Sequence, residues 1–165
     1  MGTKSSQNIE IRSATRDDSA LILSFVKGLA HHVHLQQYVV STEDMIEDCI
    51  FNKKAAEVIF ASLDGVDAGF AVFYQTFSTF LGKAGLYLED LYVLPDYRGK
   101  GIGTELLRSL AQISVERGYC RIEWCVLDWN SGSIEFYKSL GAEAVDGCTI
   151  YQMSGEAIDS LAKEY

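Results

Sequence analysis

Arg98-Gly99-Lys100-Gly101-Ile102-Gly103-Thr104 lies between an apolar, strand-like run over residues 86–93 and a helix-like run over residues 103–117. Alternating glycines at a helix opening leave backbone N–H groups bare and admit a ligand closely, and the helix N-terminus adds about half a positive charge. The stretch reads as a phosphate cradle flanked by the cations Arg98 and Lys100. It is not a Walker loop, which needs Ser or Thr directly after Gly-Lys where this chain has Gly101. Nor is it a dinucleotide fingerprint: counted from Gly99 the last glycine position holds Thr104, and from Gly101 it holds Leu106.

The strand before the cradle carries a defect in its alternation. Leu86 and Leu88 share one face, whereas Leu91 and Val93 have the opposite parity, so the inward phase slips by one residue near Glu89-Asp90. A β-bulge produces such a slip, and so does a strand buried on both faces. Pro95 then ends the strand and sets up the turn. After the glycines, Leu106, Leu107, Leu110, Ala111 and Ser114 form a helical face that closes at Arg117-Gly118. Residues 121–127 read as another strand, giving a strand–helix–strand unit with parallel strands and a right-handed crossover. The cradle therefore falls at the carboxyl end of a sheet, where open α/β folds bind ligands.

The flanks complete an α/β domain. Residues 9–14 alternate like a strand, Thr15-Arg16-Asp17-Asp18 caps a helix, and Ser41-Thr42-Glu43-Asp44 opens a shorter one. Residues 56–63 and 68–78 read as antiparallel strands joined by Asp64-Gly65-Val66-Asp67. Asn130 caps a last core helix over residues 131–140, closed by Gly141, and residues 149–154 read as a final strand. A length of 165 residues suits one domain, assigned to residues 9–165 after a flexible segment 1–8. No run reaches the roughly 18 apolar residues of a membrane span, and the N-terminus lacks the apolar core of a signal peptide, so a soluble cytoplasmic protein is expected. The net charge of −9 opposes nucleic-acid binding and suits a cationic small molecule. Cys49, Cys120, Cys125 and Cys148 contain no C-x-x-C pair and read as reduced, mostly buried thiols. His31, His32 and His34 lack a cysteine or carboxylate partner set, so no metal is expected.

Arg98-x-x-Gly101-x-Gly103 after a strand with a phase slip resembles the acetyl-CoA signature of the GNAT superfamily of N-acetyltransferases. Residues 85–93 (GLYLEDLYV), 96–103 (DYRGKGIG), 128–130 (DWN) and 135–141 (EFYKSLG) together resemble the diamine (spermidine/spermine) acetyltransferases and their thialysine-acetylating relatives. The resemblance implies the GNAT fold, a mixed sheet of six or seven strands with a splayed parallel pair flanked by helices. It implies acetyl-CoA as co-substrate and a homodimer. The backbone of Leu91, Tyr92 and Val93 would pair with the pantetheine arm. Arg98 and Gly99 through Thr104, including Lys100, Ile102 and Gly103, would hold the pyrophosphate. Asn130, Ser131 and Ser133 would line the cofactor's other side, and Tyr137 would reach its sulfur.

The implied reaction is acyl transfer from a thioester to an amine, by direct attack in a ternary complex. An alkylammonium with a pKa near ~10 must lose a proton first, and a thiolate whose thiol pKa is near ~8.5 leaves more easily when protonated. Tyr137, spaced to share a helix face with Ser133 and Leu140, is the expected acid. Glu89 at the phase slip is the expected base or substrate anchor, and Asp90 adds negative potential. Glu123, Trp124 and Cys125 match a substrate-lining segment of the family, while Trp124 reads equally well as core. Relatives carry an aromatic-acid pair after the first helix where this chain has His32 and Val33. That departure leaves a diamine or polyamine and a lysine-like amino acid such as thialysine both open as acceptors. Another amine, a peptide N-terminus or an aminoglycoside, and a catalytically silent acetyl-CoA-binding module are the rival readings.

Overall fold

The structure is a computed structural model that describes residues 8–163; the segment expected to be flexible lies, but for Asn8, outside the described residues. The chain divides into two compact units, Met1–Cys125 and Val126–Tyr165.

The first unit is built on a five-stranded sheet in the order β1 (Ile9–Ser13), β2 (Glu57–Leu63), β3 (Val66–Ser78), β4 (Lys83–Val93) and β5 (Ile122–Glu123). Neighbours are antiparallel except β4 and β5, which are parallel. The β2–β3 turn is tighter than the sequence implies. Only Asp64 (φ 52°) and Gly65 (φ 81°) lie between the strands, both in the left-handed region that a two-residue hairpin requires.

Each face of the sheet is covered by one long helix. Helix α3 (Ile102–Glu116) buries Ile102, Leu106 and Leu110 against Ile59, Ala61, Ala71, Phe73, Leu86 and Leu88. Helix α1 (Ser19–His32) buries Ile22 and Phe25 against Val58, Phe60, Phe70, Val72 and Tyr92. On α3 the buried stripe takes in Ser109 and leaves Ala111 exposed, a small rotation of the face expected from apolar residues alone. Between these helices a short α2 (Glu43–Glu47) runs into one π-helical turn, Asp48–Asn52. Arg16 bonds both Glu47 and Asn52, five residues apart, a spacing that the wider π turn brings to one side.

The second unit carries α4 (Ser131–Ser139) and α5 (Glu156–Lys163). Asn130 and Gly141 (φ 90°) bound α4 as expected, but α4 buries no residue, contrary to the reading as a core helix. Residues 149–154 form no strand, and α5 follows a segment whose helical run the sequence reading did not single out. Alternation alone cannot make a strand; a neighbouring backbone must complete the ladder, and here Ile150 and Tyr151 are 76% and 93% exposed. Among the described residues the sheet accordingly has five strands rather than six or seven. The cysteine expectation is also corrected. All four thiols are free, but Cys49, Cys125 and Cys148 are exposed because none sits on an inward-facing position of a paired strand or packed helix.

Candidate active site

The phase slip in β4 is a bulge. Asp90 pairs with Val72 and Leu88 with Phe73, which leaves Glu89 without a partner on β3. The extra residue switches the faces: Leu86 and Leu88 belong to the α3-side core, whereas Tyr92 belongs to the α1-side core and Leu91 and Val93 pack toward α3.

Among the described residues, the opposite edge of β4 pairs with another strand only in its first half. Its ladder with β5 consists of Leu86↔Ile122 and Tyr87↔Glu123, so β5 is two residues long rather than the expected seven, and the parallel pair is splayed. The Leu94 N–H donates to the Ala68 carbonyl at 2.8 Å, which sets the alternation. Tyr92 and Leu94 bond toward β3, so Leu91 and Val93 turn their N–H and C=O groups outward. The Val93 carbonyl accepts a hydrogen bond from Arg98 Nε at 3.0 Å, consistent with that direction.

The glycine turn stands at the end of this open edge. Gly99 (φ 73°) and Gly101 (φ 86°) are both left-handed, a conformation that costs other residues about 1–2 kcal/mol. Gly101 is the N-cap of α3 and no side chain caps it, so the first-turn N–H groups keep their capacity for an anion. Ile102 is buried and contributes only backbone to that end, while Gly103 and Thr104 are half-buried in the first turn. Lys100 Nζ lies 4.9 Å from the Tyr97 ring centre, and the Arg98 guanidinium 5.5 Å from that of Tyr92. An open strand edge, a bare helix N-terminus and two cations fit an amide-bearing arm that ends in a pyrophosphate.

Around the bulge the structure assembles groups that sequence reading did not unite. Tyr74 and Tyr87 face each other across β3 and β4, with ring centres 5.2 Å apart and an interplanar angle of 28°. Tyr74 is held un-ionised by burial and then by the charge of the Glu89 carboxylate, which also acts on its hydroxyl as a hydrogen-bond partner. The Tyr87 hydroxyl donates to Cys125 Sγ at 3.1 Å. Asp90 is half-buried, and burial, reinforced by the charge of Glu89, pushes its carboxyl up to about 6. Glu123 is paired with Arg121 at 2.6 Å, and the partly buried Trp124 packs against the α3-side core. The tyrosine pair was missed because it depends on cross-strand register; only counting back from the Asp64-Gly65 turn and the bulge together would find it.

His32 ends α1, its ring 6.3 Å from that of Tyr92. Tyr92 reaches that helix because Gly28 has no side chain: a Cβ there would meet its ring at 2.9 Å. Burial lowers the His32 pKa, and nearby Arg98, His34 and His31 lower it further. Val33 is the half-buried C-cap, and His34 takes a left-handed φ of 61°. Among the described residues no group of three or more His, Cys, Asp or Glu is placed to hold a metal ion.

The remaining expected residues belong to the second unit. Asn130 Oδ1 accepts the Ser133 N–H at 3.2 Å and caps α4, whose first residue is the exposed Ser131. Tyr137, half-buried on α4, has its phenol pKa raised by burial.

Residues 26–142 match the acetyltransferase (GNAT) family. The chain belongs to that family. The mouse thialysine N-epsilon-acetyltransferase is 32% identical over 164 residues, covering 92% of this chain and 96% of the relative. The Arabidopsis thaliana L-ornithine N5-acetyltransferase is 38% identical over 100 residues, 61% of this chain and 44% of the relative. Among solved structures, an integron cassette protein from the mobile metagenome of V. cholerae superposes with a TM-score of 0.79 at 25% identity, covering 94% of this chain and 98% of that one. The GNAT fold and an N-acetyltransferase activity follow, and acetyl-CoA is the co-substrate of GNAT acetyltransferases. No described helix is long and apolar enough to cross a membrane.

Proposed function

We propose that this GNAT enzyme acetylates a primary amine of a small cationic acceptor by direct attack in a ternary complex. The observation that carries the reading is the bulge at Glu89, which sets two carboxylates beside an open strand edge leading into the Arg98–Thr104 turn. Acetyl-CoA, when bound, supplies the acetyl group as a thioester. Leu91, Tyr92 and Val93 are the backbone proposed to hold its arm, and Arg98, Gly99, Lys100, Gly101, Ile102, Gly103 and Thr104 its pyrophosphate. Asn130, Ser131 and Ser133 are assigned to the cofactor by family resemblance alone. Tyr137 is proposed on the same ground as the acid for the departing sulfur; its raised phenol pKa keeps the proton in place for that use.

Glu89 and Asp90 take the acceptor's ammonium group, with Tyr74 and Tyr87 as its aromatic wall and Glu123 and Cys125 at its margin. The charges at the end of α1 favour one acceptor class over the other. His31, His32 and His34 with Arg98 offer cationic or neutral groups where a second ammonium would need a carboxylate. An amino acid with a terminal amine, lysine-like or thialysine-like, brings a carboxylate that suits them better than a polyamine does. The names of the thialysine and ornithine acetyltransferases among the relatives point the same way. A homodimer remains part of the proposal by resemblance, and a cytoplasmic location by the composition of the chain. The test is a panel of amines with acetyl-CoA: thialysine, lysine, ornithine, spermidine, a peptide N-terminus and an aminoglycoside. Acetylation of the amino acids ahead of spermidine is expected, and a product on the peptide alone would overturn the small-molecule reading.

A further inference from the structure

We propose that His32 and Arg98, gathered at the Tyr92 ring, form the subsite for the acceptor's carboxylate, and that His32 takes up a proton as that carboxylate binds. The inference rests on the acetyl-transfer reading above and assigns its preference for an amino acid to two side chains and one titration.

Two elements bring the pair together. Gly28 and His32 are four residues apart on α1 and so share a face of the helix. Gly28 lets that face close on β4, since a Cβ there would meet the Tyr92 ring at 2.9 Å, and the His32 ring centre lies 6.3 Å from that of Tyr92. From the other direction Arg98 turns back from the glycine turn. Its Nε donates to the Val93 carbonyl at 3.0 Å, and its guanidinium lies 5.5 Å from the Tyr92 ring centre. The Arg98 backbone thus stays with the cradle while its side chain joins the end of α1.

Neither group has an anion. Among the described residues the terminal guanidinium nitrogens of Arg98 and the ring nitrogens of His32 make no hydrogen bond or ion pair. The groups that face His32 are His31 on α1, His34 after it, Tyr92 on β4 and Arg98 beyond it; no carboxylate of β3, β4 or α2 acts on it. In a chain of net charge −9, two neighbouring cationic groups without an acid between them suit an anion from outside. Burial and the charges of Arg98, His34 and His31 lower the His32 pKa, so the free imidazole is largely neutral at pH 7.

The spacing suits an amino acid. Beyond the bulge Asp90 and Tyr92 share a face of β4, two residues or about 7 Å apart. An acceptor with its amine at the bulge brings the far end of a lysine-length chain to His32 and Arg98. A carboxylate there gains two charged donors, whereas the second ammonium of the corresponding diamine meets two cations. The bound carboxylate favours the imidazolium, so amino-acid binding draws a proton from solvent above the free imidazole's pKa and none well below it.

The experiment uses lysine and its decarboxylated counterpart cadaverine. Their reacting amines titrate in the same range, so the ratio of their kcat/KM values isolates the carboxylate. In the wild type the ratio should favour lysine at pH ~6 and fall about tenfold by pH ~8.5. His32→Gln keeps a hydrogen-bonding side chain without the titration, and its ratio should be flat with pH. Arg98→Gln should lower the ratio about tenfold at every pH yet keep the fall, moved to higher pH because a cation that depresses His32 is gone. A fall that survives His32→Gln, or a ratio that neither variant changes, overturns the subsite and leaves acetyl transfer standing. A wild type silent on every amine overturns acetyl transfer, and imidazole NMR, which needs no turnover, then decides the subsite. The chain has three histidines, so the signal missing from His32→Gln is that of His32. With CoA present, lysine must raise the pKa of that signal and cadaverine must not; a signal unmoved by lysine, or moved equally by both, overturns the proposal.

Discussion

Residues 83–116 and residues 126–163 are similar in length and opposite in construction. The first stretch, β4 through α3, buries Leu86, Leu88, Tyr92, Ile102, Leu106 and Leu110 between a sheet and two helices. The second has no buried residue and leaves Trp129, Val145, Ile150, Tyr151 and Met153 largely exposed. Both were assigned functional residues, so the role proposed for a residue does not follow how deeply its segment is packed. A packed scaffold holds the first stretch, whereas α4 is opened by the Asn130 cap and buries no residue.

The sharpest way to break this comparison is Tyr137→Phe. Turnover should fall by about 10²-fold or more with the fold retained, because the ring is kept and the proton donor is lost. Equal turnover across pH would remove Tyr137 from the reaction. Leu110→Ala, at a position with 0% exposure in the α3 core, should cost about 2–5 kcal/mol by urea denaturation. Asp90→Asn should act in the opposite direction. An acid whose folded-state pKa is raised to about 6 binds its proton more tightly when folded, so stability falls as pH rises from ~4 to ~6. The wild type therefore carries the full penalty at pH 7, and the asparagine variant should be more stable there by on the order of 1–3 kcal/mol, with the difference closing toward pH ~4. Gly101→Ala, forced into a left-handed φ, should lose about 1 kcal/mol of stability and raise the KM for acetyl-CoA. Ile150→Ala, in the unpaired segment, should change stability by less than about 0.5 kcal/mol in a dilute monomer; a larger loss would mean that residues 142–154 are covered in solution.

The same contrast explains what could be read from the chain. In β4 and α3 the local pattern and the long-range environment agree. Two leucines change parity across Glu89-Asp90, and the structure puts a bulge at Glu89; three glycines open a helix, and the helix starts at Ile102. In the last forty residues they disagree, because alternation over residues 149–154 carries no information about whether a partner strand exists. The same gap made β5 too long: residues 124–127 have strand-like composition, but the parallel pair splays after Glu123.

By itself the sequence determined the α/β class, the GNAT membership, the cradle at Arg98–Thr104 and the place where β4 slips. Each is a pattern over a few neighbouring residues, and the backbone physics behind it, glycine freedom, helix capping and side-chain alternation, acts at that range. Only the tertiary structure decided that Glu89 is the bulged residue and Asp90 a half-buried acid opposite Val72, that Tyr74 and Tyr87 stack, and that β4 pairs with β5 only at Leu86 and Tyr87. Desolvation, cross-strand register and strand pairing are set by segments tens of residues apart, and no local pattern records which of them will meet.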